Sequence, residues 1–384
     1  MKKNKKFIAF FIIFVVILQF FSGFSLSRQC FAEKKNEDFL TQAKSMLTME
    51  TNSGRILYRK NDKERLPMAS TTKIITAIVA IENCKNLDEK YLIPASAVGI
   101  EGSSIYLRKN EHLSVRELLY GLMLRSGNDS AVAIAIIVAG SVENFVKMMN
   151  DFCLKLNLTD THIVTVNGLH DDAHYTTAYD LAMITSYALK NEIFSEIVST
   201  EVKDISDENS KYKIRHLKNK NKLLKMVDGA DGVKTGYTKK AGRCFVGSAT
   251  RDGMQIVCVV LDCIPMFQDS KKLLEKGFNE FKMTKIFSAG KISETEIKNG
   301  KKTQKTPILL EKDIYFPLKN DEFAEITAKV VLNDDLKAPI KETDEIGEIE
   351  IKLQNDLIFS QKLFTINIGK YEEESPLKKI IRAF

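Results

Sequence analysis

Between residues 44 and 281, segments with strand patterns lie at the two ends and segments with helix patterns lie between them. The first end contains "SMLTME" and "RILYRKN", joined at the turn-forming run Asn52-Ser53-Gly54. The other end contains "GVKTGYT", "RCFVGSAT" and "MQIVCVVLDC", with the turn signal Arg251-Asp252-Gly253 between the last two. This order predicts an α+β fold in which the terminal strands form one antiparallel sheet that helices cover.

The middle of this region carries several helix signals. From Ser70 onward, apolar residues recur on one wide face as far as Ile81. A second helix is predicted after Ser114, which can cap it because Glu117 follows three residues later. A nearly all-apolar helix is predicted after the break at 126–128. Further helices are predicted in "ENFVKMMNDFCLKLNL", "TAYDLAMITSYAL" and "SKKLLEKGFNEF".

Residues 283–369 follow a different pattern. Apolar and polar residues alternate in "EIGEIEIKL" and "KLFTINI", and turn signals stand at Asn333-Asp334-Asp335 and Asn355-Asp356. This pattern predicts a small all-β C-terminal domain. It contains no cluster of catalytic residue types, so the chemistry is assigned to residues 39–282, the predicted catalytic domain.

The first 32 residues form a predicted secretory signal peptide. They hold five of the 57 Lys and Arg residues and no acidic residue, and a basic start is followed by the apolar run 7–26. Cleavage is expected after Ala32, and an uncleaved membrane anchor is the alternative, because the uncharged run is 20 residues long. The rest of the chain has 52 basic and 50 acidic residues, which gives no indication of a nucleic-acid partner. We expect an exported protein that acts outside the cytoplasm.

The last ten residues, 375–384, predict an amphipathic tail. Its apolar residues have helical spacing and its basic residues lie opposite them, in "SPLKKIIRAF". We expect this tail to bind a membrane surface and hold the protein peripherally on the outer face of the cytoplasmic membrane. A frayed, solvated tail is the alternative.

Five cysteines follow the leader, an odd number without paired spacing. This count does not predict a disulfide framework. Cys258, inside "MQIVCVVL", is predicted to be a small buried apolar residue rather than a nucleophile.

Candidate chemistry begins with Ser70 and Lys73 in "PMASTTKIITA". The spacing Ser-x-x-Lys occurs four times in the chain, so spacing alone does not distinguish a catalytic pair from chance. Two further motifs occur once each: Ser126-Gly127-Asn128 in a break between helices, and Lys234-Thr235-Gly236 on a predicted strand. A serine at a helix start is usually only a cap, and a lysine on a strand is usually solvated. The three motifs together, in this order and on these elements, favour catalysis.

Three of these side chains have physical roles in acyl transfer. The helix dipole would favour negative charge developing on the Ser70 oxygen, and Lys73, one turn later, can reach that hydroxyl. To act as a base Lys73 must be neutral, which burial or a nearby cation such as Lys234 would favour. Ser126 can pass a proton between Lys73 and a leaving amine.

The remaining motif residues suit substrate binding. Asn128 can hydrogen-bond a substrate amide. Lys234 and Thr235 can bind an anionic substrate group, and Gly236 lets a substrate backbone approach the strand closely. The developing oxyanion needs two backbone N–H donors, and that of Ser70 is the first candidate.

Longer stretches around these motifs resemble the serine-type D-Ala-D-Ala carboxypeptidases, the low-molecular-mass penicillin-binding proteins of peptidase family S11. The resemblance covers roughly Lys44 to Phe281, and the β-rich block is similar to the family's C-terminal domain. The stretches that carry it are "GRILYRKNDKERLPMASTTKIITA", "EGSSIYLRKNEHLSVRELLYGLMLRSGNDSA" and "DGVKTGYTKKAGRCFVGSATRDGMQIVCVVLDC". It implies a penicillin-binding/serine β-lactamase-like fold for the catalytic domain.

The resemblance also implies an activity. The enzyme would remove the terminal D-alanine from peptidoglycan stem pentapeptides through an acylated Ser70, without a metal or other cofactor, and β-lactams would acylate the same serine. The backbone N–H of Tyr237 would be the second oxyanion donor. The chain departs from the family pattern at Ile163 and Thr165, where Phe and Asn are usual, and at Cys153, where Ala is common.

Three alternatives remain open at this stage. A class A β-lactamase would need a glutamate-bearing loop, and the chain has no Glu-x-x-Leu-Asn between Asn128 and Lys234. A zinc peptidase could use His170 and His174 in "HDDAH", although no convincing third ligand accompanies them. The third alternative is a penicillin-binding module without turnover.

Overall fold

The computed structural model describes residues 41–206, 214–299 and 302–369. The predicted leader at 1–32 and the predicted tail at 375–384 lie outside the described residues. Residues 39 and 40, the start of the predicted catalytic domain, lie outside them too.

The first part of the described chain contains nine strands and seven α-helices, with a 3-10 turn at Ala69–Thr72. In chain order they are β1 (Ser45–Glu50), β2 (Ile56–Lys60), α1 (Lys73–Asn83), β3 (Lys90–Leu92), β4 (His112–Ser114), α2 (Val115–Leu124), α3 (Asn128–Ala139), α4 (Val142–Lys155), α5 (Ala178–Leu189), α6 (Glu192–Ser199), β5 (Val202–Ile205), β6 (Arg215–Lys218), β7 (Ala230–Thr238), β8 (Gly242–Arg251), β9 (Met254–Leu261) and α7 (Met266–Glu280).

The terminal strands of this region form one antiparallel sheet, as the sequence predicts. Its spatial order is β2-β1-β9-β8-β7. Side chains alternate across it, because successive residues of a strand point to opposite faces. On β9, Val257 and Val259 face the core formed with helices α1 to α6, whereas Cys258 and Val260 face the core formed with α7. The sheet therefore lies between a thick helical layer and one closing helix.

The predicted helices can be compared with the structure one by one, and the predicted start of α2 is confirmed. Ser114 and Glu117 form the predicted capping box, in which the Ser114 side chain accepts from the Glu117 N–H and the Glu117 side chain accepts from the Ser114 N–H. The helix predicted from Ser70 differs in its first turn, which is a 3-10 turn, and α1 itself begins at Lys73. Helix α6 was not among the predicted elements, because its eight residues are fewer than the roughly 11 over which helical periodicity is read.

The remaining strands form the predicted β-rich block. They are β10 (Lys282–Phe287), β11 (Gly290–Asn299), β12 (Lys302–Leu310), β13 (Ile314–Leu318), β14 (Ile326–Leu332), β15 (Gly347–Leu353) and β16 (Asp356–Phe364). Five of them form a sheet in the order β11-β12-β16-β15-β14, and β10 pairs with β13. The predicted boundary between 282 and 283 falls within β10, and the domain bounds stay predictions.

The five cysteines in the described ranges are all free, and Cys258 is fully buried, as predicted. Among the residues that the structure describes, no single helix has the length and apolar character needed to cross a membrane. Helices α3 and α4 would meet that test only as a pair bent by 86°.

Candidate active site

Ser70 lies in the 3-10 turn that leads into α1. The preceding residue, Ala69, has a φ of +48°, which is uncommon for a residue with a side chain and costs energy of order 1–3 kcal/mol. The hydroxyl of Thr71 donates to the carbonyl of Met68 at 2.6 Å. The turn thus carries backbone strain immediately before the predicted nucleophile.

Lys73, the first residue of α1, is completely buried and its amine is surrounded by neutral oxygens. Its Nζ lies 3.0 Å from Ser70 Oγ, within hydrogen-bond distance, and donates to Asn128 Oδ1 at 2.7 Å and to the carbonyl of Asn167 at 2.5 Å. Burial, together with the positive charges of Lys234 and Lys220, lowers the pKa of Lys73 well below its usual value. The structure therefore joins the first two motifs through one amine.

The middle motif occupies the break between α2 and α3. Ser126 is buried and has a φ of +63°, and Asn128 begins α3. The Asn128 N–H donates to the Ser103 carbonyl at 2.7 Å, and its side-chain amide donates to the Glu101 carbonyl at 2.6 Å. These contacts fix the amide with its oxygen directed at Lys73.

The third motif lies on the edge strand β7, beside the Ser70 turn. Lys234 is almost fully buried, and its Nζ donates to the carbonyl of Thr235 at 3.0 Å. Burial, and to a smaller extent the charge of Lys220, lowers the pKa of Lys234 to about 7. The side chain of Tyr237 is exposed.

Gly236 has a packing role that the sequence does not predict. A Cβ atom at this position would lie 3.1 Å from the Ser70 nitrogen and 3.1 Å from the Met68 carbonyl oxygen. The missing side chain therefore lets β7 pack directly against the turn that carries Ser70.

Two residues of the site were missed by the sequence analysis. Lys220 hydrogen-bonds Ser103 Oγ at 3.1 Å, and its charge contributes to the lowered pKa of both motif lysines. In the sequence it lies within "KNKNK", which resembles a solvated charge run. Asn167 contacts Lys73 through a main-chain carbonyl, which no side-chain pattern can indicate.

The structure does not support the zinc alternative at "HDDAH". His174 is buried, and its Nδ1 accepts from the N–H groups of Val164 and Thr165 while its Nε2 hydrogen-bonds Thr72 Oγ1. Both nitrogens are therefore occupied by protein groups. Across 41–206, 214–299 and 302–369, no group of three or more His, Cys, Asp and Glu residues could hold a metal ion.

The departures from the family pattern at Cys153, Ile163 and Thr165 are accommodated locally. Ile163 is buried in the helical core, and so is Cys153, whose pKa burial raises to about 12. The Thr165 hydroxyl accepts from the Gly168 N–H at 3.2 Å and donates to the Leu169 carbonyl at 3.2 Å. Thr165 thus supports the loop conformation that presents Asn167.

An antiparallel sheet under a helical layer, with the three motifs on these elements, defines the penicillin-binding and serine β-lactamase class. Residues 32–264 match the family model described as D-alanyl-D-alanine carboxypeptidase, and residues 281–368 match that of the penicillin-binding protein 5 C-terminal domain. The chain belongs to the D-alanyl-D-alanine carboxypeptidases of peptidase family S11, and it is a serine-type hydrolase of that kind.

Curated relatives and solved structures agree with this assignment. The chain is 31% identical over 338 residues to the D-alanyl-D-alanine carboxypeptidase DacF of Bacillus subtilis, covering 85% of each chain. It matches the crystal structure of penicillin-binding protein 5 from Haemophilus influenzae with a TM-score of 0.72 and 31% identity, covering 86% of this chain and 98% of that one. It also matches the DD-transpeptidase of Streptomyces K15, with a TM-score of 0.59 and 34% identity, over 62% of this chain and 98% of that one.

Proposed function

We propose that the chain removes the terminal D-alanine from peptidoglycan stem pentapeptides through a Ser70 acyl-enzyme. The observation that carries the mechanism is the 3.0 Å contact between Lys73 Nζ and Ser70 Oγ, made by an amine whose pKa burial lowers. A neutral amine at this distance can accept the hydroxyl proton as Ser70 attacks.

In acylation, the Ser70 oxygen forms a bond to the carbonyl carbon of the penultimate D-alanine while its proton passes to Lys73. The backbone N–H groups of Ser70 and Tyr237 would stabilise the oxyanion. Ser126 would relay the proton from Lys73 to the leaving amine, and the peptide bond breaks to release D-alanine. Water then attacks the ester, gives a proton back through the same groups and frees the tetrapeptide.

The motif on β7 would bind the substrate. The charged form of Lys234 and the hydroxyl of Thr235 would pair with the terminal carboxylate, and Asn128 would hydrogen-bond a substrate amide. Gly236 would leave room for the substrate backbone along the strand. Because the pKa of Lys234 is about 7 without an anion, the arriving carboxylate would favour its charged form.

Penicillin would acylate the same serine, since its β-lactam carbonyl and carboxylate can occupy the same positions. The carboxypeptidase would act on the cell wall outside the cytoplasm, exported by the leader at 1–32 and held on the membrane surface by the tail at 375–384. The basic start with its apolar run, and the amphipathic pattern of the tail, support this placement.

The test uses residues 33–384 as wild type and as Ser70→Ala. Fluorescent penicillin labelling and D-alanine release from a diacyl-D-Ala-D-Ala peptide are followed in parallel, with and without a zinc chelator. Stable label and chelator-resistant release, both lost in Ser70→Ala, are expected. Label without release would instead identify a penicillin-binding module, and release stopped by the chelator would reject the serine mechanism.

A further inference from the structure

His174 is a buried side chain that the proposed mechanism does not use. Its Nδ1 accepts from the N–H groups of Val164 at 3.0 Å and Thr165 at 3.3 Å, so Nδ1 carries no proton. In a neutral imidazole the proton then lies on Nε2, which donates to Thr72 Oγ1 at 2.8 Å. Both ring nitrogens of His174 therefore have hydrogen-bond partners within the protein.

The contact continues from Thr72 to the residue before the nucleophile. Thr72 Oγ1 donates to the carbonyl of Ala69 at 2.7 Å, and Ala69 is the residue held at a φ of +48°. Gly168 packs against the same point, because a Cβ atom there would lie 2.0 Å from the Ala69 oxygen and 2.9 Å from Thr72 Oγ1. A strained turn persists only where its surroundings hold it, and these groups do so.

The other side of His174 supports the base. Val164 and Thr165 begin the loop that carries the Asn167 carbonyl, which accepts from Lys73 Nζ at 2.5 Å. One imidazole therefore connects the backbone that carries Ser70 with the loop that orients Lys73.

We propose that His174 is a positioning residue for acylation, which holds the Ala69-Ser70 turn and the Asn167 loop in fixed relation through its neutral Nε2–H form. The inference rests on the proposed roles of Ser70 and Lys73. His174 takes no part in proton transfer itself.

The surroundings of His174 keep it neutral. Burial, which the charge of Asp171 opposes and the charges of His162 and His170 reinforce, lowers its pKa to about 4. A proton on Nδ1 would also face the two N–H groups of Val164 and Thr165, which would lose their acceptor.

The test compares disruptive with conservative variants at both ends of the His174–Thr72 hydrogen bond. His174→Leu and Thr72→Val remove the donor and acceptor groups, whereas His174→Gln and Thr72→Ser keep a donor and an acceptor. Thr185→Val is the matched control, because Thr185 is also buried and donates to a backbone carbonyl, that of Leu181, at 2.6 Å. D-alanine release is measured per mole of sites titrated with saturating penicillin, so that a smaller folded fraction does not affect the rate.

We expect His174→Leu and Thr72→Val to lower kcat about 10- to 100-fold, the size that a small misplacement of reacting groups produces, with KM changed less than about twofold. The Gln and Ser variants should retain kcat within about fivefold, and Thr185→Val should match the wild type. Wild-type kcat per site in both disruptive variants, or equal losses in the Gln and Leu variants, would overturn the inference. These outcomes differ from a failure of the proposed function, in which the wild type itself would release no D-alanine through Ser70.

Discussion

Two buried lysines of the catalytic region and two exposed lysines of the β-rich block have pKa values shifted in opposite directions. Lys73 and Lys234 are buried, hydrogen-bond neutral oxygens and have lowered pKa values because of burial. Lys285 and Lys362 are exposed, and the carboxylates of Asp313 and Glu345 raise their pKa values. A lysine can serve as a base near neutral pH only in the first setting. Exposed ion pairs such as those of Lys285 and Lys362 favour the charged form of the lysine, but they add little to the free energy of unfolding.

Both regions contain non-glycine residues with positive φ angles, and two of those in the catalytic region lie at the motifs. These two are Ala69 and Ser126, and the others in that region are Asn61, Tyr106, Asn110, Asn157, Asp252 and Asp262. In the β-rich block they occur at Asp335 and at Gln354, which lies in the turn between β15 and β16. Such angles are ordinary in turns, but beside a nucleophile they indicate a conformation that the surrounding contacts must hold.

The largest effect is expected for Lys73→Met. Removing the proposed base should lower kcat/KM for D-alanine release about a thousandfold, within the range that general bases contribute. The matched control is Lys285→Met, which removes an exposed, paired lysine of the β-rich block and should leave kcat/KM within about twofold. A loss below tenfold in Lys73→Met, measured by D-alanine release, would assign the base to another group.

Gly168→Ala should have the next largest effect. The new Cβ atom would lie 2.0 Å from the Ala69 carbonyl oxygen, at a φ of +80°, so the Ser70 turn or the loop must move. We expect kcat to fall about a hundredfold.

Gly140→Ala is the matched control, because it tests the effect of a positive φ without a steric contact. Gly140 has a φ of +79°, and nothing lies within 4 Å of the added Cβ atom. The substitution should cost about 1–2 kcal/mol of stability, the cost of a side chain in the left-handed region, and leave kcat unchanged. Equal losses of kcat in both variants would contradict the packing argument.

The pH profile should show the effect of Lys220. In the proposed mechanism Lys73 is neutral, so kcat/KM should rise as pH rises through its lowered pKa. Lys234 is charged in that mechanism, so kcat/KM should fall above its pKa of about 7. The two limbs belong to a coupled pair. Because the charge of Lys220 lowers the pKa of both groups, Lys220→Gln should move both limbs to higher pH. Lys222→Gln, which removes an exposed neighbouring charge, should move neither. Unmoved limbs in Lys220→Gln would show that burial and the charge of Lys234 lower these pKa values without a contribution from Lys220.

The sequence predicts the parts of the fold that depend on local pattern. The terminal sheet, the capping box at Ser114 and the β-rich block follow from alternation, turns and caps. The contacts of Lys220, Asn167 and His174 depend on tertiary packing, which brings "KNKNK" and the loop before α5 to the Ser70 turn. A carbonyl acceptor leaves no side-chain signal, and a histidine pair four residues apart resembles a metal motif until its hydrogen bonds are known.

The smallest effect on catalysis is expected at the junction between the two regions. Arg55, just before β2, donates to the Pro317 carbonyl and pairs with Glu322 at 2.7 Å, and both side chains are largely buried. Its guanidinium also lies 4.8 Å from the ring centroid of Phe281. Arg55→Ala would leave the Glu322 carboxylate buried without this partner, which typically costs about 3–5 kcal/mol. Calorimetry should show a lower Tm, whereas kcat per titrated site should stay within about twofold.

A double variant, Arg55→Met with Glu322→Leu, distinguishes loss of the ion pair from loss of packing. Replacing both charges by apolar side chains of similar size removes the buried carboxylate that Arg55→Ala leaves without its guanidinium, so we expect the double variant to be more stable than Arg55→Ala. If the β-rich block contributed to the chemistry, kcat would fall in both variants in proportion to the loss of stability. Constant kcat across the three proteins would show that the buried lysines act independently of this junction, because the oxygens that their amines contact and the charges that lower their pKa values lie within residues 70–235.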